Sequence, residues 1–354
     1  MSNRISSYFK SHWKIIVNVV TIAALAIFLF AIRDQLVETF EEITHVRWWV
    51  LLLIVPLLAW KYDVQARLYR SLFVIVGNKF SYRHMYETAL ELNFVNTVFP
   101  SGGVSGISYY GMRMRSDNVT GGKATLVQLM KLGLQFLSFE VLLAIGLLAL
   151  AIGGDVNVFI FMLTVILATL LIVGTALMAY ILGAKGRITV FHRAVRNMVN
   201  GTYKLVTRGK GMKRYELERM HTLLLELHNN YLTIRKQWRD LKRPFYFALL
   251  TNVAEILTIY CVYLAFGQWV NIGAIILAYS VANFAGFVSV LPGGVGIYEA
   301  LMTTVLVAAG VPAALSLSVT IMFRVLSTLI QLPAGYYFYH RTIHRGHKLT
   351  SDSV

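Results

Sequence analysis

The sequence is poor in cysteine, proline and charge. Cys261 is its one cysteine in 354 residues, so an intrachain disulfide is excluded and a cysteine-based metal cluster is not expected. Charged residues make up 14% of the chain and hydrophobic residues 57%, which excludes an ordinary soluble domain and is typical of a polytopic membrane protein. The sequence has only six prolines. A proline inside an apolar run is therefore informative, because proline interrupts a helix.

Features that would indicate catalysis or a cofactor are also scarce. The nine histidines fall outside the predicted spans, although His84 opens a predicted hairpin, and none belongs to a cluster with metal-ligand spacing. The serines near Pro100 therefore have no histidine in a span to activate them. Neither glycine-rich stretch has the strand before it or the Gly-Lys-Ser/Thr ending of a phosphate-binding loop. We expect no enzyme activity, no metal and no cofactor.

Two glycine- and proline-containing stretches interrupt apolar segments, one in each half of the chain. Their interrupting residues are Pro100, Gly102 and Gly103 in the first half, and Pro292, Gly293, Gly294 and Gly296 in the second. A broken helix in lipid frees backbone groups that protein or cavity water must satisfy. Paired interruptions of this kind are the best sequence indicator of a transporter's substrate site.

The apolar segments predict an all-α polytopic membrane protein with about six full spans and two broken or re-entrant helical hairpins. The expected spans are 15–32, retained rather than cleaved as a signal peptide, 48 to about 60, 126–152, 156–182, 245–266 and 313–339. The first hairpin, 84 to about 115, has basic flanks and is expected to dip in from the cytoplasm. Residues 272–309, around the second break, fit either two short spans or one hairpin from outside.

Positive charge is concentrated in one connector, residues 184–243, which holds 15 Lys/Arg against 4 Asp/Glu. Apolar residues at helical spacing from Leu217 to Trp238 predict an amphipathic helix in it. We expect the connector to lie on anionic inner-leaflet lipids, with a specific partner or regulatory site as the alternative, and we expect no nucleic-acid binding. The positive-inside rule then places both termini in the cytoplasm, in a multi-pass protein of the cell membrane.

The two halves resemble each other in order. Lys131 lies 31 residues after Pro100, Arg324 lies 32 residues after Pro292, and each cation falls in the long apolar span after its break. This pattern predicts inverted repeats of about 48–152 and 244–340 within a single integral membrane domain, 1–354, with coincidence as the alternative.

Charged side chains inside predicted spans or hairpins are the candidate functional residues. A charge at the bilayer centre costs roughly 2.5–3.5 kcal/mol, so these side chains should face the protein interior and pair. Glu87 and Glu91 share a helix face, so a cation such as Lys131 is expected nearby, and Glu299 is expected to pair with Arg324. The alternative to a substrate site is a set of salt bridges that orient helices. The candidate substrate-binding residues, beside the break residues, are Lys131, Arg324, Glu299, Glu91, Glu87, Glu140, Glu255 and Asn96.

The stretch LPGGVGIYEA at 291–300, followed by AGVP at 309–312 and by Phe323-Arg324, resembles the lysylphosphatidylglycerol synthase transmembrane region family, also called the flippase-like domain family. The first break matches more loosely, and Tyr298 stands where the family often has Arg. The resemblance implies a lipid translocase fold with two inverted repeats. Some relatives carry a soluble aminoacyl-transferase domain that lysinylates phosphatidylglycerol. The chain ends at Val354, so we expect neither that domain nor synthase activity.

These observations together predict a lipid flippase or scramblase. It would move an anionic or aminoacylated lipid headgroup, on a phospholipid or a polyprenyl phosphate, through a central polar cavity. Lys131 and Arg324 would receive the anionic group, because Arg and Lys bind phosphate oxygens. A small-solute or ion-coupled transporter and a membrane-embedded lipid transferase are the alternatives. The identity of the lipid, the direction, the energy source and the oligomeric state are left open.

Overall fold

The structure is a computed structural model. It describes the residues 30, 33, 37, 46–99, 104–154, 157–184, 186–190, 238–283 and 296–346. All regular secondary structure in these residues is helical. The all-α class is therefore as predicted.

The helices are numbered in chain order and follow one another with short connections. Their bounds are α1 Trp48–Leu51, α2 Ile54–Ile75, α3 Tyr82–Val98, α4 Val104–Arg115, α5 Gly121–Gly153, α6 Val158–Leu182, a 3-10 turn at Trp238–Leu241, α7 Lys242–Ala265, α8 Ile272–Asn283, α9 Ile297–Ala308 and α10 Ala313–Gly346. Polar side chains begin three of them: Ser81, Thr120 and Asn157 accept backbone N–H groups at the starts of α3, α5 and α6.

Five helical segments are long and apolar enough to cross a membrane, judged by length and composition: Trp48–Ile75, Gly121–Gly153, Val158–Leu177, Arg239–Ala265 and Ala313–Ile343. The chain is a multi-pass membrane protein, and α8 and α9 are shorter apolar helices. Most of the predicted span 15–32, the break residues other than Gly296, and most of the connector 184–243 lie outside the described residues. The sixth span and the re-entrant path of the hairpins therefore stay predictions.

The second predicted span is longer than expected. The sequence suggested an end near Trp60, where basic residues begin, but α2 continues to Ile75. Charged residues within α2 have partners that allow the helix to continue. Lys61 pairs with Glu255 of α7 at 2.6 Å, and Asp63 pairs with Arg67 one turn later at 2.9 Å.

The helices α2 and α7 pack against each other in antiparallel orientation. The backbone N–H of Arg47 donates to the carbonyl of Ala265 at 2.9 Å, and the thiol of Cys261 donates to the carbonyl of Val50 at 3.2 Å. The Lys61–Glu255 pair lies further along the same contact. The end of α2 and the start of α7 therefore share one side of the protein.

The first helix of each predicted hairpin packs against a helix from the other half of the chain. The first, α3, packs against α10, and its counterpart α8 packs against α5. Both contacts bring backbones close at glycine. A Cβ on Gly335 of α10 would lie 2.8 Å from the carbonyl oxygen of Leu90, and a Cβ on Gly273 of α8 would lie 2.3 Å from that of Gly146. Small residues permit such close helix packing in membranes.

Candidate functional site

The Glu299–Arg324 pair lies at the start of α9, just after the second glycine-rich stretch. Oε2 of Glu299 accepts the backbone N–H of Gly296 at 2.7 Å, and Oε1 accepts from Nη1 of Arg324 in α10. Gly296 has a φ of +87°, a left-handed conformation that residues with a Cβ rarely adopt. The carboxylate thus closes the first turn of α9 and neutralises a cation on the next helix. The predicted partnership of Glu299 and Arg324 is confirmed.

An aromatic ring also covers Arg324. Its Cζ lies 4.8 Å from the ring centroid of Tyr298, which is a cation–π distance. Both members of the ion pair are largely withdrawn from the surface, with side-chain exposures of 17% for Arg324 and 6% for Glu299. The guanidinium of Arg324 is therefore held between a carboxylate and an aromatic face.

Lys131, in the first half of α5, has a different environment. Its Nζ lies 5.1 Å from the ring centroid of Tyr69 in α2, and the Tyr69 hydroxyl donates to Gln128 at 3.4 Å. Over the described ranges, no carboxylate lies within the 4.0 Å of Lys131 Nζ that defines an ion pair. The expectation that cations lie beside Glu87 and Glu91 is confirmed, but the cations that pair with them are Arg83 and Arg113 rather than Lys131.

Glu91, in α3, is completely buried and accepts three hydrogen bonds. The donors are the hydroxyl of Tyr109 at 2.8 Å, Nε of Arg113 at 3.2 Å and the hydroxyl of Thr342 at 2.6 Å. Its cation is thus Arg113 of α4, which folds back against α3. Because Thr342 belongs to α10, this one carboxylate joins the hairpin to the end of the last helix.

The hydrogen-bond network around Glu91 extends through Arg113 to Asp117, just after α4, and to His84, at the start of α3. Nη1 of Arg113 donates to Oδ2 of Asp117 at 3.1 Å, and the same oxygen lies 2.9 Å from Nε2 of His84. Arg113 also approaches the other ring nitrogen of His84 at 3.3 Å. The guanidinium is therefore held by two carboxylates and an imidazole, which fixes α4 against the start of α3.

Two further predicted carboxylates pair with cations that the sequence patterns did not single out. Glu87 accepts from Nε of Arg83 at 3.0 Å, and Arg341 of α10 lies 4.0 Å from the same oxygen. Glu255 pairs with Lys61 at 2.6 Å, and the two side chains are 15% and 14% exposed. The first pair lies near the protein surface, whereas the second joins α2 to α7.

The remaining predicted residues have neutral surroundings. Oε1 of Glu140 in α5 is buried and accepts no hydrogen bond from any residue that the structure describes. Asn96 lies against Gly106, where an added Cβ would be 2.0 Å from Oδ1 of Asn96. Gly106 therefore lets α3 and α4 approach closely.

Amide side chains connect neighbouring helices. Nδ2 of Asn93 donates to Oε1 of Gln331 at 2.9 Å, and the hydroxyl of Tyr62 donates to the same oxygen. Asn252 donates to Ser138 at 3.0 Å. These bonds are typical of helix association in a membrane, where polar side chains find partners on adjacent helices.

The structure therefore gathers the predicted residues into separate groups. Gly296, Glu299 and Arg324 form one group, and Glu87 and Glu91 lie along α3 near the end of α10. Lys131 and Glu140 lie on α5, Glu255 lies on α7 and Asn96 lies on α3, and Pro100, Gly102, Gly103, Pro292, Gly293 and Gly294 are outside the described residues. Across the described part of the chain, no three His, Cys, Asp or Glu side chains are placed to hold a metal ion.

Sequence reasoning missed Arg113 and Lys61. We had assigned both to basic flanks that set the topology, and their pairing depends on how the helices fold back. A signal for Arg113 was available, because two carboxylates on one helix face, Glu87 and Glu91, required a nearby cation. For Lys61 the signal was Asp63 with Arg67, a spacing of four that indicates a helix continuing past Trp60.

The comparisons with known proteins agree with this architecture. The family described as the lysylphosphatidylglycerol synthase TM region matches residues 15–335. A UPF0104 membrane protein of Methanothermobacter thermautotrophicus is 35% identical over 94 residues, which cover 27% of this chain and 28% of that protein. A UPF0104 membrane protein of Pyrococcus horikoshii is 29% identical over 110 residues, which cover 31% of this chain and 33% of that protein. The matched stretch thus spans about a third or less of the length of these curated relatives.

Proposed function

The chain belongs to the lysylphosphatidylglycerol synthase transmembrane region family, and from this we propose that it translocates lipid. Its cargo would be an anionic or aminoacylated headgroup, on a phospholipid or a polyprenyl phosphate. It would act as a flippase or scramblase, moving the headgroup between leaflets without covalent chemistry.

The observation that carries the proposal is the state of Lys131. It lies in a candidate span, and among the described residues no carboxylate pairs with it. A cation at the bilayer centre costs roughly 2.5–3.5 kcal/mol, which a counter-charge from outside the chain would offset. The Tyr69 ring provides partial compensation through its π face. A phosphate passing α5 would supply a full negative charge.

Arg324 would act as the second cation of the same path. Its guanidinium is held between Glu299 and the face of Tyr298, so its position is set before any substrate arrives. A preorganised guanidinium loses little freedom when it binds a phosphate oxygen. We propose that Glu299 positions Arg324, while Arg324 contacts the headgroup.

The packing pattern supports the inverted repeat that translocation by two halves would use. Helices α2 to α5 and α7 to α10 follow the same order, α2 packs on α7, and the exchanged pairs α3–α10 and α8–α5 correspond. Lys61 lies 39 residues before Pro100 and Glu255 lies 37 before Pro292, so the pair joins nearly equivalent positions. We propose that a pseudo-two-fold axis in the membrane plane passes near this ion pair.

The charge distribution supports an orientation with both termini in the cytoplasm. The connector 184–243 would then lie on the inner leaflet, where its excess of 15 Lys/Arg over 4 Asp/Glu attracts anionic headgroups. We propose that the connector keeps anionic lipids close to the protein. Such a local supply would favour substrates that carry a negative headgroup.

Reconstitution in liposomes tests the proposal. The liposomes would contain a phospholipid whose anionic headgroup carries a fluorophore, and a membrane-impermeant quencher would report leaflet exchange. We expect wild-type protein to accelerate exchange over protein-free liposomes. Lys131→Gln should slow it about tenfold, since a charge-assisted hydrogen bond contributes about 1.5 kcal/mol or more.

Lys123→Gln is the matched control. Lys123 lies on the same helix and carries the same charge, but it bonds to Asn78 at 3.3 Å near the helix start. This variant should exchange lipid at the wild-type rate. Equal rates for wild type and Lys131→Gln, or no acceleration over protein-free liposomes, would contradict the proposal. Flux of entrapped glycerol phosphate would instead indicate a solute transporter, and a new lipid product in mass spectra would indicate a transferase.

A further inference from the structure

A basic groove opens where the end of α2, the start of α3 and the start of α7 meet. It has a volume of about 1040 Å³. Five cationic residues line it, Arg67, Arg70, Arg239, Lys242 and Arg243, and none of them belongs to the candidate site described above. The groove is therefore separate from that site, and its cations lie at the end of the span Trp48–Ile75 and at the start of the span Arg239–Ala265.

Acidic residues do not balance the charge of this groove. Its lining contains two carboxylates, Asp63 and Asp240, against the five cations, which gives a net charge of +3. Asp63 already accepts from Nε of Arg67 at 2.9 Å and from the hydroxyl of Tyr82 at 2.6 Å. Burial, followed by the hydrogen bond to Asp63, raises the pKa of Tyr82 to about 12.

Apolar surface accompanies the cations. Val74 and Phe247 also line the groove, and the side chain of Val74 is largely exposed. The guanidinium of Arg243 lies 5.8 Å from the ring centroid of Phe247, so a charged and an apolar wall adjoin each other. A ligand with an anionic head and an apolar tail matches this lining better than a purely polar solute does.

The place of the groove in the fold matches the same ligand. The antiparallel packing of α2 and α7 puts the end of one and the start of the other on the same side. The positive-inside rule assigns that side to the cytoplasm, where anionic phospholipids are enriched in the adjacent leaflet. Arginine side chains bind phosphate oxygens through paired N–H donors.

We propose that this groove binds the phosphate group of an anionic phospholipid from the cytoplasmic leaflet, with Arg70 and Arg243 as its principal contacts. Arg70 and Arg243 lie on different helices, α2 and α7, so one phosphate between them would tie those helices together. The site concerns binding and is independent of translocation. It would stand if leaflet exchange were never observed.

Native mass spectrometry of the full-length protein in detergent tests the site. The protein would be titrated with short-chain phosphatidylglycerol, with short-chain phosphatidylcholine and with glycerol 3-phosphate. We expect phosphatidylglycerol to bind best, because it combines a net negative phosphate with an apolar tail. Arg70→Gln together with Arg243→Gln should weaken this binding about tenfold or more, since two charge-assisted contacts are lost.

Lys79→Gln is the matched control, because Lys79 is an exposed cation next to the groove but outside its lining. It should bind phosphatidylglycerol as the wild type does. Equal weakening by Lys79→Gln, or unchanged binding in the double variant, would overturn the proposal. Equal occupancy by glycerol 3-phosphate would also overturn it, by showing that the site takes free phosphate esters.

Two further measurements guard against a misfolded double variant. Arg70→Lys with Arg243→Lys keeps both charges and should retain part of the affinity for phosphatidylglycerol. In the wild type, binding should weaken as salt rises from 50 to about 500 mM, because screening acts on exposed charges. A salt-independent affinity would overturn the proposal without any variant.

Discussion

The two halves of the protein hold a cation at corresponding positions, but they hold it differently. Lys131 and Arg324 each lie over a tyrosine ring, at 5.1 Å and 4.8 Å from the ring centroid. Arg324 is in addition paired with Glu299, which also closes the start of α9. Lys131 has no such carboxylate in the described part of the chain. The second half thus contains a preassembled ion pair, and the first half a cation that an external anion can neutralise.

The first helices of the two hairpins also differ, and here the charged side chains belong to the first half. The first, α3, contains Glu87 and the fully buried Glu91, whereas α8 has no charged residue at all. Within the hairpins, the carboxylates of the first half therefore lie before the break, on α3, whereas Glu299 of the second half lies after the break, on α9. An architecture of similar helices can in this way present two chemically different surfaces to one substrate.

Removing one member of the ion pair in the second half should cost the most stability. We expect Arg324→Met to lower the free energy of unfolding by about 3–5 kcal/mol, because it leaves Glu299 charged, buried and deprived of its cation. Lys131→Met should leave stability unchanged or raise it, since it removes a cation without breaking an ion pair. Detergent-induced unfolding in mixed micelles, followed by circular dichroism, measures both. Equal losses would show that the two cations are held alike.

The next largest loss of stability is expected at the two close helix contacts that glycine permits. Gly273→Ala and Gly335→Ala should each lower the free energy of unfolding by about 1–3 kcal/mol, because the added methyl groups would press on a neighbouring carbonyl oxygen. Gly133→Ala is the control, since a Cβ there meets nothing within 4 Å. It should be neutral or stabilising by about 0.5–1 kcal/mol, the helix preference of alanine. A large loss of stability for one variant and none for the other would show that the two helix contacts are not equivalent.

The ion pair that joins the halves should have a smaller effect. In a double-mutant cycle of Lys61→Met and Glu255→Gln, we expect an interaction energy of about 1–2 kcal/mol, since the side chains are close but not fully buried. Unfolding in mixed micelles again provides the values. An interaction energy near zero would show that the pair does not hold α2 against α7.

The smallest effect is expected at the ring over Arg324. Tyr298→Leu should lower the free energy of unfolding by about 0.5–2 kcal/mol, through loss of the cation–π contact. Tyr298→Phe keeps the aromatic face and should stay close to the wild type. If both variants lost equal stability, the hydroxyl group rather than the ring would be the important part of Tyr298.

Some features of the site followed from local rules that the sequence displays. The Glu299–Arg324 pair could be predicted because two charges in apolar segments beside one break have few alternative partners. The partners of Glu91 and Glu255 could not, because Arg113 and Lys61 reach them through the return of a hairpin and the crossing of two distant helices. Basic residues also serve orientation in membrane proteins, so their number alone does not separate a pairing cation from a topological one.

The class of the protein, its main spans and its candidate charges could be read from the sequence alone, because each of these depends on composition or on short-range spacing. The order of helices in both halves was readable for the same reason. The tertiary structure decided which cation meets which carboxylate, which glycines permit contact, and where the basic groove opens. These depend on the packing of helices far apart in the chain, where differences of a few ångströms decide whether two charges form a pair.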